Sequence, residues 1–135
     1  MTKKQLEESV EYLKKKGFES PEIGIVLGTG LGQLVGEIEN PVEAHYNHIP
    51  YFPLATVEFH SGKLIYGTIA GKKVVVMQGR FHLYEGYDFL DITYPIRVMH
   101  LLGIQKLFVS NAAGAINLNF KKGDMMLIED HINLQ

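Results

Sequence analysis

A short apolar segment followed at once by a glycine-rich turn is the feature that most constrains the fold of this chain. Residues 23–27 read Ile-Gly-Ile-Val-Leu, and residues 28–32 read Gly-Thr-Gly-Leu-Gly. A strand that is apolar on both faces is typical of buried parallel strands in α/β proteins. Glycines let the backbone approach a ligand closely, and a helix N-terminus attracts anions. The segment predicts either an anion site or only a tight connection to a helix at 31–38.

Two common phosphate-binding motifs do not fit this turn. Gln33 stands where a dinucleotide-binding fingerprint would have its third glycine, and no acidic residue follows about twenty positions later. A Walker A loop requires Gly-Lys followed by Ser or Thr, which is absent here. If the turn binds an anion, it therefore does so in another way.

The rest of the pattern predicts strands that alternate with helices and a hairpin. Leu6, Val10 and Leu13 repeat at helical spacing before Gly17, and Pro95 predicts that a second helix starts near Tyr94 or is kinked there. A loop at 39–53 is followed by a hairpin, in which residues 63–69 and 73–77 are the strands and residues 70–72 the turn. After it come a loop at 78–87, a helix at 91–102, a strand at 106–110, a turn around Gly123 and a last strand at 125–129. This order indicates an α/β fold with a mixed central sheet and flanking helices. Because no helix follows the last predicted strand to cover it, we expect the domain to be cut at the end of this sequence.

Composition excludes several classes of function. The chain has 13 basic and 15 acidic residues, a net charge of -2 and no cysteine. That balance gives no electrostatic footprint for nucleic acid or for an anionic membrane, and disulfides and thiolate metal sites are impossible. The charged N-terminal stretch lacks the apolar core of a signal peptide, so we expect a cytoplasmic protein.

The segment 78–87, Gln-Gly-Arg-Phe-His-Leu-Tyr-Glu-Gly-Tyr, carries the most chemistry. Arg80, one of two arginines in the chain, follows a predicted strand and offers a rigid fork of donors suited to phosphate. In an extended segment, His82 points to the same face as Arg80, and Glu85 is close enough to hold the imidazole in one tautomer. The alternative is a loop with a surface ion pair between Arg80 and Glu85.

Small residues follow the strand predicted at 106–110. Asn111, Ala112, Ala113 and Gly114 leave room for a ligand to touch the backbone, and ligands of open α/β sheets collect at such strand ends. By itself, this segment is better explained as a tight turn. His60 precedes the hairpin and is close enough to reach a ligand, whereas His45 and His48 lack a third ligand and do not indicate a metal site.

These segments, in this order and spacing, resemble the trimeric purine nucleoside phosphorylase family. The resemblance runs from Glu22 to the end and is most specific at 78–87, 111–114, 123–128 and 130–134. Methylthioadenosine phosphorylases share the fold and the first turn. Their counterpart of the Arg80 segment usually lacks the Tyr-Glu-Gly-Tyr pattern of residues 84–87, so the nucleoside enzyme is the better match.

The resemblance implies a role for each matching residue. It implies phosphate binding by Thr29, Arg80, His82 and the backbone of Ala112, and it places Tyr84 at the ribose. It also implies catalytic roles for His60, His82 and Glu85. Ala113 and Gly114 are implied to lie against the purine base.

The reaction implied by the resemblance is reversible phosphorolysis of purine ribonucleosides or deoxyribonucleosides to free base and pentose 1-phosphate. Inorganic phosphate is then a co-substrate, and no metal or organic cofactor is expected. The resemblance also implies a homotrimer whose subunits are about twice as long as this chain, so that residues 1–135 are the N-terminal half of a single nucleoside phosphorylase domain. It does not separate 6-oxopurines from 6-aminopurines. We expect the 135 residues alone to be inactive. The alternatives are a methylthioadenosine phosphorylase-like enzyme, a non-catalytic anion- or nucleotide-binding module, and an oligomerisation or folding fragment without a ligand.

Overall fold

The computed structural model describes residues 1–28, 30–53 and 62–134 and shows, within them, two α-helices packed against a five-stranded sheet. The helices are α1 (Lys3–Lys15) and α2 (Phe89–Leu102). The strands are β1 (Ile23–Val26), β2 (Glu39–His45), β3 (Lys63–Ile69), β4 (Lys72–Gln78) and β5 (Lys106–Val109). In the described ranges, no helix has the length and apolar character that a bilayer crossing requires.

The sheet is mixed, with the strand order β2-β3-β4-β1-β5. β1 runs parallel to both of its neighbours, and Ile23 lies opposite Val74 on one side and Lys106 on the other. β3 runs antiparallel to β2 and β4. The predicted α/β class with a mixed sheet is therefore confirmed, as is the parallel pairing of the apolar segment at 23–27.

Both faces of the central strands are buried. Val75 and Met77 of β4 belong to the larger core cluster, which also holds Leu13 of α1 and Val98 of α2. Val74 and Val76 point to the opposite face and belong to a second cluster, as alternation along a strand requires. This two-sided burial explains why these strands are apolar at almost every position.

The predicted hairpin is confirmed, with a two-residue turn between β3 and β4. Ala70 and Gly71 both have positive φ angles, 48° and 75°. That is the signature of a type I′ turn, whose twist matches the twist of the paired strands. Ala70 adopts this conformation although it carries a Cβ.

Helix α2 begins earlier than Pro95 suggests. The Asp88 side chain accepts a hydrogen bond from the Asp91 N–H, the Asp91 side chain accepts one from the Asp88 N–H, and the helix starts at Phe89. Pro95 lies inside the helix and is fully buried. The helix predicted at 91–102 is therefore confirmed and starts two residues earlier, whereas a start near Tyr94 was wrong, because the Asp88 and Asp91 capping box fixes the first turn.

Three other predicted segments differ from the structure. Residues 39–45 form the edge strand β2 rather than a loop, because an edge strand with a register shift tolerates Pro41. The predicted helix at 31–38 is a short 3₁₀ helix, Gly32–Glu37, in which two glycines weaken an α-helix. The predicted strand at 125–129 is exposed backbone without strand pairing, because no neighbouring strand lies beside it in the described part of the chain.

Candidate functional site

The carboxyl ends of three parallel strands bring the predicted site segments to one edge of the sheet. β4, β1 and β5 lie side by side, and Gly79, Leu27 and Ser110 follow their last residues. Ligands of open α/β sheets bind at this kind of edge. The three segments that the sequence singled out are therefore neighbours in space, although they lie up to about eighty residues apart in the chain.

The glycine turn after β1 packs directly against the segment after β5. A Cβ added to Gly28 would lie 2.5 Å from the Ser110 carbonyl oxygen and 2.9 Å from the Asn111 Cα. Only glycine permits this approach of two backbones. The Gly28 N–H donates to the Ser110 hydroxyl at 2.9 Å, so this amide is already occupied and is not available to an anion.

Arg80 extends from the end of β4 to the end of β5. Its Nη1 donates to the Ser110 carbonyl oxygen at 3.0 Å, and its Nε donates to Nε2 of His82 at 3.2 Å. A guanidinium has five N–H groups, so three of them form no hydrogen bond within the described residues. Arg80 is partly buried, which orients the group while leaving donors for a ligand.

His82 and Glu85 form the second half of the site. Nδ1 of His82 lies 2.8 Å from Oε2 of Glu85, and the same oxygen accepts the backbone N–H of His82 at 2.9 Å. Because an arginine N–H can only donate, Nε2 of His82 accepts, and the imidazole hydrogen is placed on Nδ1 toward Glu85. Glu85 pairs with His82 and not with Arg80, so the alternative of an Arg80–Glu85 surface ion pair is wrong.

The short 3₁₀ helix Leu83–Glu85 places Tyr84 over the imidazole. The two rings are stacked, with centroids 4.7 Å apart and planes inclined by 22°. Tyr84 is 83% exposed, so one face of its ring remains open to solvent. Gly86 closes this helix with a φ angle of 93°, a conformation that favours glycine.

The other predicted site residues are either exposed after the end of β5 or outside the described residues. Ala112, Ala113 and Gly114 follow Ser110 and are exposed, and the carbonyl oxygen of Ala112 accepts the Asn111 side-chain amide at 3.3 Å. Thr29 and His60 lie outside the described residues. The roles of all these residues stay predictions.

Sequence reasoning missed Ser110 and the support behind Gly79. The buried hydroxyl of Tyr46 donates to the Gly79 carbonyl oxygen at 2.6 Å, and burial raises the pKa of this hydroxyl far above its usual value. Ser110 was noted only as the end of a strand. No local pattern points to either contact, because Tyr46 and Gly79 lie 33 residues apart and Ser110 and Gly28 lie 82 apart.

Metal binding finds no support in the described residues. None of their His, Cys, Asp and Glu side chains form a group of three or more that could hold a metal ion. The rings of His45 and His48 pack edge to face, with centroids 6.0 Å apart. A separate open groove of about 480 Å³ lies between α2 and β5, and it is lined by none of the predicted site residues that the structure describes.

Comparison with known proteins agrees with the fold. Residues 22–135 match the family model of the Phosphorylase superfamily, and the chain belongs to this family.

Within the superfamily, the chain is similar to purine nucleoside phosphorylases. Purine nucleoside phosphorylase 1 of Geobacillus stearothermophilus is 52% identical over 133 residues, which are 98% of this chain and 48% of the relative. The Rattus norvegicus enzyme is 45% identical over 133 residues, 98% of this chain and 46% of the relative. A crystal structure of isoform 2 from Schistosoma mansoni, in complex with cytosine and ribose-1-phosphate, has a TM-score of 0.87 at 45% identity and covers 91% of this chain and 43% of that one. The resemblance found in the sequence is confirmed, and the chain spans about half the length of these relatives.

Proposed function

We propose that this chain supplies the phosphate site of a purine nucleoside phosphorylase. The observation that carries the proposal is the position of Arg80 at the ends of three parallel strands, where it is fixed by two hydrogen bonds and keeps three N–H groups unbonded in the described part of the chain. A guanidinium held in this way matches the oxygens of a phosphate. The names of the similar proteins and the ribose-1-phosphate bound to the Schistosoma mansoni isoform support the choice of reaction.

In the proposed reaction, phosphate attacks the anomeric carbon of a purine nucleoside and the base leaves. The bond to the base breaks with oxocarbenium character on the sugar, and negative charge develops on the purine. A phosphate held by Arg80 and His82 is positioned as the nucleophile and lies as a counter-charge beside the cationic sugar. Inorganic phosphate is a co-substrate in this proposal, and no metal or organic cofactor takes part.

The hydrogen-bond chain from Glu85 through His82 to Arg80 orients the phosphate ligands. Glu85 holds the hydrogen of His82 on Nδ1, which leaves Nε2 as an acceptor directed at Arg80. An imidazole fixed in this tautomer has an Nε2 lone pair that can accept either the Arg80 Nε–H or a phosphate hydroxyl. Glu85 is therefore proposed to act through His82.

The remaining assignments complete the proposed site. Thr29 and the backbone of Ala112 bind phosphate, Tyr84 contacts the ribose, and Ala113 and Gly114 lie against the purine. The exposed face of Tyr84 is consistent with this position at the sugar. His60 acts near the phosphate and the ribose. We further propose a homotrimeric assembly and a cytoplasmic location.

Phosphorolysis of inosine tests the proposed function. Because the chain spans about half the length of its relatives, we would assay it alone and joined to the second half of the Geobacillus stearothermophilus relative. We expect the joined protein to release hypoxanthine only when phosphate is present, and the 135 residues alone to release none. Methylthioadenosine serves as the comparison substrate. A folded joined protein that leaves inosine intact would refute the proposal.

Calorimetry on the 135-residue chain separates an enzyme site from a binding module. Tight binding of phosphate or of a nucleotide without turnover in either protein would favour the non-catalytic module. Turnover by the joined protein with the phosphate dependence described above would favour the enzyme.

A further inference from the structure

The Ser110 hydroxyl joins the ends of two neighbouring strands. It accepts the Gly28 N–H at 2.9 Å and donates to the Val26 carbonyl oxygen at 3.2 Å. The Ser110 backbone N–H donates to the same Val26 oxygen at 3.1 Å. The ends of β1 and β5 are therefore held together beyond the last pair of the strand ladder, Val26 with Val109.

The same residue also orients the arginine of the proposed phosphate site. The Ser110 carbonyl oxygen accepts Nη1 of Arg80 at 3.0 Å. This carbonyl lies against Gly28 at a spacing that leaves no room for a Cβ. Any shift of the β5 end relative to the β1 end therefore moves both the acceptor of Arg80 and the start of the glycine turn.

We propose that the Ser110 hydroxyl is a positioning group for anion binding at the strand ends. By fixing β5 against the glycine turn, it places the carbonyl oxygen that directs Arg80, and it occupies the Gly28 amide so that the anion must be bound by donors further along the turn. The inference rests on the proposed function for the identity of the anion. The orientation of Arg80 can be measured independently of that function.

Nuclear magnetic resonance of the arginine side chains in the 135-residue chain provides the independent measurement. The chain has two arginines, so one substitution is enough to assign the guanidinium N–H signals to Arg80 or Arg97, and exposed Arg97 is an internal reference. The variants are Ser110→Ala, which removes the hydroxyl, and Ser110→Thr, which keeps it. Ser20→Ala is the matched control, because Ser20 is exposed and forms no hydrogen bond within the described residues.

We expect Ser110→Ala to accelerate hydrogen exchange severalfold at the Arg80 Nη1–H, which Ser110 accepts, and to leave Arg97 unchanged. We also expect it to raise the phosphate Kd by about 5- to 30-fold, the effect of losing one or two hydrogen bonds. Ser110→Thr should retain most of the wild-type exchange rate and affinity. If Ser110→Ala does not fold, Ser110→Cys, which is close to serine in size and a much weaker hydrogen-bonding group, takes its place.

The outcomes separate this inference from the proposed function. Unchanged Arg80 exchange in a folded variant without the hydroxyl would overturn the positioning role, as would a Ser110→Thr variant as disturbed as Ser110→Ala. If the unsubstituted chain binds no phosphate, the phosphate assignment fails, and the exchange rate of Arg80 alone decides the role of Ser110.

Discussion

Replacement of Arg80 by alanine is the most direct test of the site. The substitution removes the three N–H groups that are unbonded within the described residues, together with the hydrogen bonds to His82 and Ser110. A hydrogen bond to a charged group contributes about 1.5–3 kcal/mol. Loss of one such bond to phosphate corresponds to about a 10- to 150-fold rise in the phosphate Kd. The phosphate Kd of Arg80→Lys should lie between those of the unsubstituted protein and Arg80→Ala, because an ammonium keeps the charge without the planar fork of donors.

Two measurements test this prediction. Calorimetric titration with phosphate gives the Kd of the 135-residue chain, and steady-state kinetics give the phosphate KM of the joined protein. Arg97→Ala is the matched control, since Arg97 is the other arginine of the chain and is exposed on α2. Thermal unfolding of each variant separates a binding defect from a loss of the fold. A folded Arg80→Ala protein with the wild-type phosphate Kd would remove Arg80 from the site and with it the main support for the proposed function.

Three further predictions concern the stability of the fold. Ser9→Ala should lower the free energy of unfolding by about 1–3 kcal/mol in denaturant titrations, because the buried hydroxyl bonds the Tyr94 hydroxyl at 2.8 Å, and an unchanged midpoint would contradict this. Ala70→Asn should raise that free energy by roughly 0.5–1 kcal/mol, because Asn-Gly suits a type I′ turn better than Ala-Gly, whereas Ala70→Val should lower it. Burial raises the pKa of Tyr46, so the folded chain keeps this proton at a pH where the unfolded chain loses it, and stability should fall above about pH 10 by up to about 1.4 kcal/mol per pH unit. Tyr46→Phe should make this decline shallower, and equal slopes in the two proteins would argue against it.

The sequence alone determined the elements whose signal is local. The apolar segment at 23–27 predicts a buried parallel strand, because only a strand covered on both faces needs apolar side chains at nearly every position. The hairpin of β3 and β4 follows from two strand-like runs joined by a short turn. Arg80 and His82 are two residues apart after β4, so the spacing predicted that both side chains lie on one face, and the structure shows them hydrogen-bonded to each other.

Elements that depend on distant partners were predicted less well. The strand β2 looked like a loop because of its proline, and only pairing with β3 makes it a strand. The segment at 125–129 has the apolar pattern of a strand, but the described residues offer no strand beside it. Strand propensity depends on the neighbouring strand as much as on the residues themselves.

The same distinction applies to the site. Residue types and spacing indicated which side chains could bind an anion, since donor chemistry and strand alternation are local properties. The tertiary structure decided which donors remain available: it brings Ser110 to the Gly28 amide across 82 residues and directs one end of the Arg80 fork at a backbone carbonyl. These contacts depend on the parallel order of β4, β1 and β5, and that order results from packing over the whole sheet, which no short stretch of sequence encodes.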